Sequence, residues 1–211
     1  MRIPFSREEF FGVFAAYNEA VWPAQLLFLA LAAFALLLVA RGSRLSRWVA
    51  FWLALMWTWM ALAYHLAFFA AINPAAQLFA VAFIAQAILL AIAGAKGGLR
   101  FGGPMSRTQR AVGWSLALYA IAGYPAIGYA FGQQYPALPT FGLPCPTTIF
   151  TLALFAWASR PVSWTLLVIP VLWSVVATSA AISLRVPEDY ALPIAALALV
   201  ALRLSHRRML S

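Results

Sequence analysis

His65, Cys145, Glu19 and the pair Glu188-Asp189 are the side chains in this sequence best suited to chemistry. His65 ends the run Trp59-Met60-Ala61-Leu62-Ala63-Tyr64-His65. An imidazole inside an apolar stretch can carry a proton, ligate a metal, or simply bond to a neighbouring helix as a neutral core group. Cys145 lies between Pro144 and Pro146, ahead of Thr147-Thr148. Proline suits a first helical turn, so the thiol would sit at a helix N-terminus, where the dipole favours an anion. The plain alternative is a small apolar residue in a tight turn. Glu19, in Tyr17-Asn18-Glu19, directly precedes an apolar run. Glu188-Asp189 follows Arg185 and reads either as a solvated loop or as a lid.

Taken together, His65, Cys145 and Glu19 are a donor set that zinc or copper would accept. They are far apart in sequence and have no recognised metal-binding spacing, so no cofactor is expected. Tyr17, Tyr64 and Asn73 are the neutral polar groups close to these residues and complete the candidate ligand-binding set. Pro144, Pro146, Glu188 and Asp189 are the candidate gating residues.

These groups must be positioned by lipid-embedded elements. Of 211 residues 65% are hydrophobic and 9% charged, against roughly 25% charged in a soluble domain. Such a chain cannot cover itself with polar surface, and in hydrocarbon every backbone polar group must be paired internally. Ala and Leu dominate without period-2 alternation, so the reading is an all-α membrane protein. One cysteine excludes an internal disulfide.

A span takes about 20 apolar residues. Seven stretches qualify, at about 20–40, 48–70, 75–95, 111–131, 147–159, 163–183 and 190–204. The connections after the first, third and fifth, with the C-terminal tail, hold eleven of the fourteen basic residues: Arg41, Arg44, Arg47, Lys96, Arg100, Arg107, Arg110, Arg160, Arg203, Arg207 and Arg208. Only Arg2, Arg7 and Arg185 fall on the other side, together with all five acids, Glu8, Glu9, Glu19, Glu188 and Asp189. The positive-inside rule then predicts a seven-transmembrane-helix bundle, N-terminus outside and C-terminus cytoplasmic. All the candidate chemistry falls on the outer half.

Ser6-Arg7-Glu8-Glu9 has the spacing of a capping box, and Phe10, Phe14, Tyr17 and Val21 follow at helical spacing. A short interfacial amphipathic helix is expected over 6–19, with a bend at Pro23. The fifth span, from Thr147 to Arg160, is only 14 residues long, about 21 Å of helix against about 30 Å of hydrocarbon. The Pro- and Gly-rich segment before it is either an exposed outer loop or an element that dips into the bundle, which is tolerated only where protein or a wet cavity surrounds it. Trp57, Trp59 and Trp173 fall deeper than the interfacial tryptophans, and Pro125, Pro170 and Pro193 interrupt three spans.

Some functions are excluded. The basic residues are scattered over short loops rather than gathered on a soluble face, so nucleic acid is not the partner; membrane lipids are. A retinal Schiff base needs a lysine in the bundle, and the only lysine, Lys96, is in a loop. A bis-His haem would need a second intramembrane histidine. There is no Gly-rich phosphate loop and no His-Glu-x-x-His.

Three segments carry a resemblance. They are Pro4-Phe5-Ser6-Arg7-Glu8-Glu9-Phe10-Phe11 with Tyr17-Asn18-Glu19 and Trp22-Pro23-Ala24-Gln25; Tyr64-His65 with Phe68-Phe69 and Ile72-Asn73-Pro74-Ala75; and 139–148 with its Pro144-Cys145-Pro146. Together they resemble a family of uncharacterised bacterial multi-pass membrane proteins. The resemblance implies the bacterial cytoplasmic (inner) membrane and supplies no activity. The N-out seven-span plan is also similar to that of sugar-transporting SWEET proteins, whose Pro-Gln loop signature is missing here.

The expectation is a membrane protein that binds a small ligand or ion in an outward-opening polar pocket lined by Glu19, His65 and Cys145, with transport as an extension and homo-oligomerisation left open. One alternative is a metal-dependent intramembrane hydrolase of the alkaline-ceramidase type, although the several zinc-binding histidines of that class are lacking. The other is a non-catalytic structural or assembly subunit.

Overall fold

The computed structural model describes residues 3–42, 45, 47–103 and 105–208, with backbone alone for 206–208. Arg2 and Arg44, both part of the charge asymmetry, lie outside the described residues, as do the side chains of His206, Arg207 and Arg208.

Helix α1 spans Arg7–Ala20. Its capping box is formed: Glu9 N donates to Ser6 Oγ at 3.1 Å and Ser6 N donates to the Glu9 carboxylate at 2.7 Å. Two orphan donors of the first turn are thereby satisfied. Phe10, Val13, Phe14 and Tyr17 turn into the protein, while Glu8, Gly12, Ala16 and Glu19 face outward. At Pro23 the chain bends by 86° into α2, Ala24–Ala40.

The next helix, α3 (Arg47–Trp59), runs on through a widened π turn, Met60–Leu66, and a 3-10 turn, Phe69–Ala71, for 25 residues in all. It packs along α4, Ala76–Ala95. Helix α5 (Arg107–Leu118) likewise passes through a π turn, Tyr119–Gly123, into α6, Tyr124–Ala130. Pro125 lacks an N–H and crowds the carbonyl four residues back, which accounts for the widening there. Helix α8 spans Trp164–Leu184. Among the described residues these four stretches are long and apolar enough to cross a membrane, and a fifth if α1 and α2 form one bent span.

The other expected spans fall short. Helix α2 has 17 residues, α7 (Pro144–Ala156) has 13, and α9 (Ala191–Arg208) has 18, closing on Arg203, Arg207 and Arg208. Length and composition alone thus support four to five spans among the described residues. Helix α7 is short because it is interior: every residue except Cys145 is buried, with α5, α8 and α9 packed around it. A helix that is apolar all round belongs in a core.

The connections gather at two ends. At one, Ser159 N donates to Arg100 O at 2.8 Å and Arg203 Nε to Val162 O at 2.8 Å, drawing the basic segments together. At the other lie α1 and the segments 67–75, 131–143 and 185–190. Along the flanks many large apolar side chains stand exposed, among them Leu55, Leu78, Val81 and Leu197, all above 60%.

Candidate functional site

The site forms at the end opposite the arginines, and one asparagine organises its edge. Asn18 is fully buried. Its Nδ2 donates to Pro136 O at 2.7 Å and Leu138 O at 2.8 Å, and its Oδ1 accepts from Thr140 Oγ1 at 2.7 Å. The non-helical segment before α7 is thus tied to α1 through Pro136, Leu138 and Thr140, while Gln134 and Tyr135 stay exposed. Gly142 closes it with φ +106°, where an added Cβ would lie 2.7 Å from the Phe28 ring, so only glycine fits. Gly142 N donates to Thr147 Oγ1 at 3.2 Å, and Leu143 then leads into α7 with Pro144 first and Cys145 second.

Under α1 is a cavity of about 240 Å³. Its walls are largely aromatic and aliphatic: Phe5, Phe10, Phe14, Phe69, Phe79 and Trp173. Val176, Ser179 and Ser183 of α8, all exposed, border it on one flank, so its mouth faces sideways along that helix. Polar groups concentrate at Tyr124, Cys145 and Asp189. Among the described residues no cationic side chain lines it.

Asp189 lies in the 3-10 turn Pro187–Tyr190 connecting α8 to α9 and is 3% exposed. Its carboxylate accepts hydrogen bonds from the Tyr124 hydroxyl and the Cys145 thiol. Burial pushes the Asp189 pKa up to about 7; the two hydrogen bonds oppose that rise and neighbouring Glu188 adds to it. The group can therefore hold or release a proton near neutrality. Helix α7 sets Cys145 in place through its prolines, and the widened turn before α6 positions Tyr124.

The sequence candidates separate. Tyr64, Asn73, Cys145, Pro144, Pro146 and Asp189 line the cavity. Asn73 Oδ1 also accepts from Ala75 N at 3.1 Å, which turns the chain into α4. Tyr17 is buried beside the cavity, accepting from Trp59 Nε1 at 2.7 Å and donating to Gly142 O at 3.4 Å. His65 lies behind the wall, fully buried among the rings of Phe83 (4.6 Å), Trp173 (5.2 Å) and Phe79 (5.7 Å). Neither of its nitrogens has a hydrogen-bond partner among the described residues. Glu19 is exposed on the outer face of α1 and away from the lining. Glu188 is fully buried but turned from the cavity. Among the described residues no three of His, Cys, Asp and Glu converge as a metal ion would require.

Tyr124, Trp173, Ser179, Ser183 and the organiser Asn18 were not among the sequence candidates. Ser179 and Ser183, four apart in an apolar helix, shared one face and could have been read as a polar stripe. Asn18 stood out only as the neighbour of Glu19, and Trp173 only as one of three deep tryptophans able to line a pocket, because nothing in their spacing reveals a partner more than 100 residues away.

The sequence matches a family of unknown function (DUF6064) over residues 7–211. No curated protein and no solved structure matches it.

Proposed function

The chain belongs to the DUF6064 family, and we propose that it is a multi-pass membrane protein that binds a small amphiphilic amine in the cavity beneath α1. The supporting observation is Asp189, a buried carboxylate at the polar end of an apolar cavity that no cationic side chain lines among the described residues. A buried carboxylate is paired or neutral. An ammonium group would supply the missing charge, and the aromatic walls would cover an apolar body. The volume is below the roughly 300–1,000 Å³ of drug-sized sites, so the ligand is small. The mouth beside Val176 and Ser179 suits entry from the lipid side.

The membrane reading draws on the four to five apolar helices and on side chains such as Leu78 and Leu197, each 69% exposed. In water such flanks would be an association hazard; in lipid they are ordinary. We place the arginine-rich end in the cytoplasm of a bacterium and the cavity at the outer face of the inner membrane. In this arrangement α2 and α9 also cross, α7 is a buried half-length segment, and α1 lies at the outer interface. Release of the same ligand to the opposite side would make the protein a transporter.

Native mass spectrometry tests the binding. Protein in a mild detergent should form a one-to-one adduct with decylamine, which Asp189→Asn weakens and Ala180→Trp, filling the cavity, abolishes. Bare protein throughout, or an adduct unaffected by both substitutions, refutes the reading.

A further inference from the structure

Behind the turn that presents Asp189 is a second polar pair. Glu188 is fully buried, and neither carboxylate oxygen has a hydrogen-bond partner among the described residues. Gln133 is 6% exposed, and neither its Oε1 nor its Nε2 has one. The two side chains meet over α6. A Cβ added at Gly128 would lie 3.0 Å from Gln133 Oε1 and 3.3 Å from Glu188 Oε1, so both oxygens crowd the same point. An ionised carboxylate facing a carbonyl oxygen without a donor is the costliest arrangement for such a pair. A carboxylic acid there would have a donor to give and an acceptor to receive it.

We propose that Glu188 and Gln133 form a proton-binding site, in which a protonated Glu188 donates to Gln133 Oε1. The surroundings favour the neutral acid. Burial is the main influence and raises the Glu188 pKa; donors of the turn's own backbone and of the Gln133 amide, near the carboxylate but outside hydrogen-bond geometry, and the Arg7 guanidinium of α1 act against it. The Tyr119 hydroxyl donates to the Glu188 backbone carbonyl at 2.7 Å, fixing the turn without serving the carboxyl. Asp189 is the adjacent acid, with Cys145 and Tyr124 on its far side. The proton site stands independently of the amine reading above.

Infrared titration tests the site. The chain has five carboxylic side chains, and Glu8, Glu9 and Glu19 are exposed, so a protonated-carboxyl band persisting above the ordinary carboxylate range comes from the buried pair. It should persist in Asp189→Asn and vanish when Glu188→Gln, which keeps the shape of the protonated acid, is added to that variant. Gln133→Leu, which removes the acceptor, should shift the band to higher frequency; this second variant decides the matter if Glu188→Gln does not fold. No such band, or a band lost only with Asp189, would mean an ionised Glu188 bonded by a reversed Gln133 amide, and the site would be refuted.

Discussion

Asn18 on α1 donates to the backbone carbonyl of Pro136, 118 residues away, at 2.7 Å. The same amide reaches Leu138 O, so a single side chain holds the irregular segment before α7 against the first helix. Replacing it with alanine leaves two carbonyls and the Thr140 hydroxyl short of partners. Unmade bonds of this kind cost about 1–3 kcal/mol each when the groups stay buried. Asn18→Ala should lower stability by about 2–4 kcal/mol and speed hydrogen exchange first in 132–143. Uniform exchange across the chain would show that Asn18 does not hold this segment in particular.

Asp189 makes stability depend on pH in a definite direction. Its ordinary value is 3.8 and the folded value is about 7, so between these the folded protein binds a proton that the unfolded chain does not. Its contribution is fully present below about 3.8, declines as pH rises, and is gone above about 7. Thermal unfolding of the wild type relative to Asp189→Asn should therefore show the wild type losing ground from acid to neutral pH, then running parallel. A difference constant across that range would place the Asp189 pKa at its ordinary value.

The same titration governs the proposed ligand. An alkylamine stays cationic throughout this range, whereas Asp189 is ionised only above about pH 7. Decylamine affinity should be greatest above neutrality and fall about tenfold per unit well below the Asp189 value. Asp189→Asn should be weak and flat with pH. Affinity that rises toward acid would indicate a ligand that accepts a proton from Asp189 instead.

What the sequence could reveal follows the range of the interactions involved. The capping box of Ser6 and Glu9, the bend at Pro23 and the apolar stretches that became α3, α4 and α8 are written in neighbouring residues. Composition identified an all-helical chain. It could not determine how many helices cross, because α7 looks like a truncated span until its burial on every side is seen. The candidate site was legible by type and not by arrangement. Cys145 and Asp189 were chosen singly, yet their meeting through Tyr124 depends on packing across segments distant in sequence. Glu19 and His65 attracted attention as ionisable groups in or near apolar runs; one faces outward and the other is walled off by aromatic rings.

Gly142 is the position where backbone geometry most directly limits the site. At φ +106° an L side chain is strained, and the new Cβ would also meet the Phe28 ring at 2.7 Å. Strain of this type costs about 1–3 kcal/mol before the clash is added. Gly142→Ala should destabilise by about 2–4 kcal/mol and make the 132–143 segment sensitive to protease. Because Leu143 and Pro144 line the cavity next to it, the decylamine adduct should weaken as well. Full retention of the adduct would mean that the cavity is built independently of this turn.

His65 offers the opposite expectation. Two buried nitrogens without partners among the described residues weigh against the folded state, by about 1–3 kcal/mol for each unpaired group. Its ring gains edge contacts with Phe83 and Trp173, worth about 0.5–1.5 kcal/mol per aromatic pair. The polar cost is the larger of the two, and leucine would recover part of the packing while removing that cost. His65→Leu should therefore unfold at the same temperature as the wild type or higher, and should keep the decylamine adduct because His65 does not line the cavity. A loss of more than about 3 kcal/mol would exceed what these two aromatic pairs explain. It would mean that the imidazole has a polar partner, and the wall of Trp173 and Phe79 would then be a movable screen between His65 and the cavity rather than a fixed one.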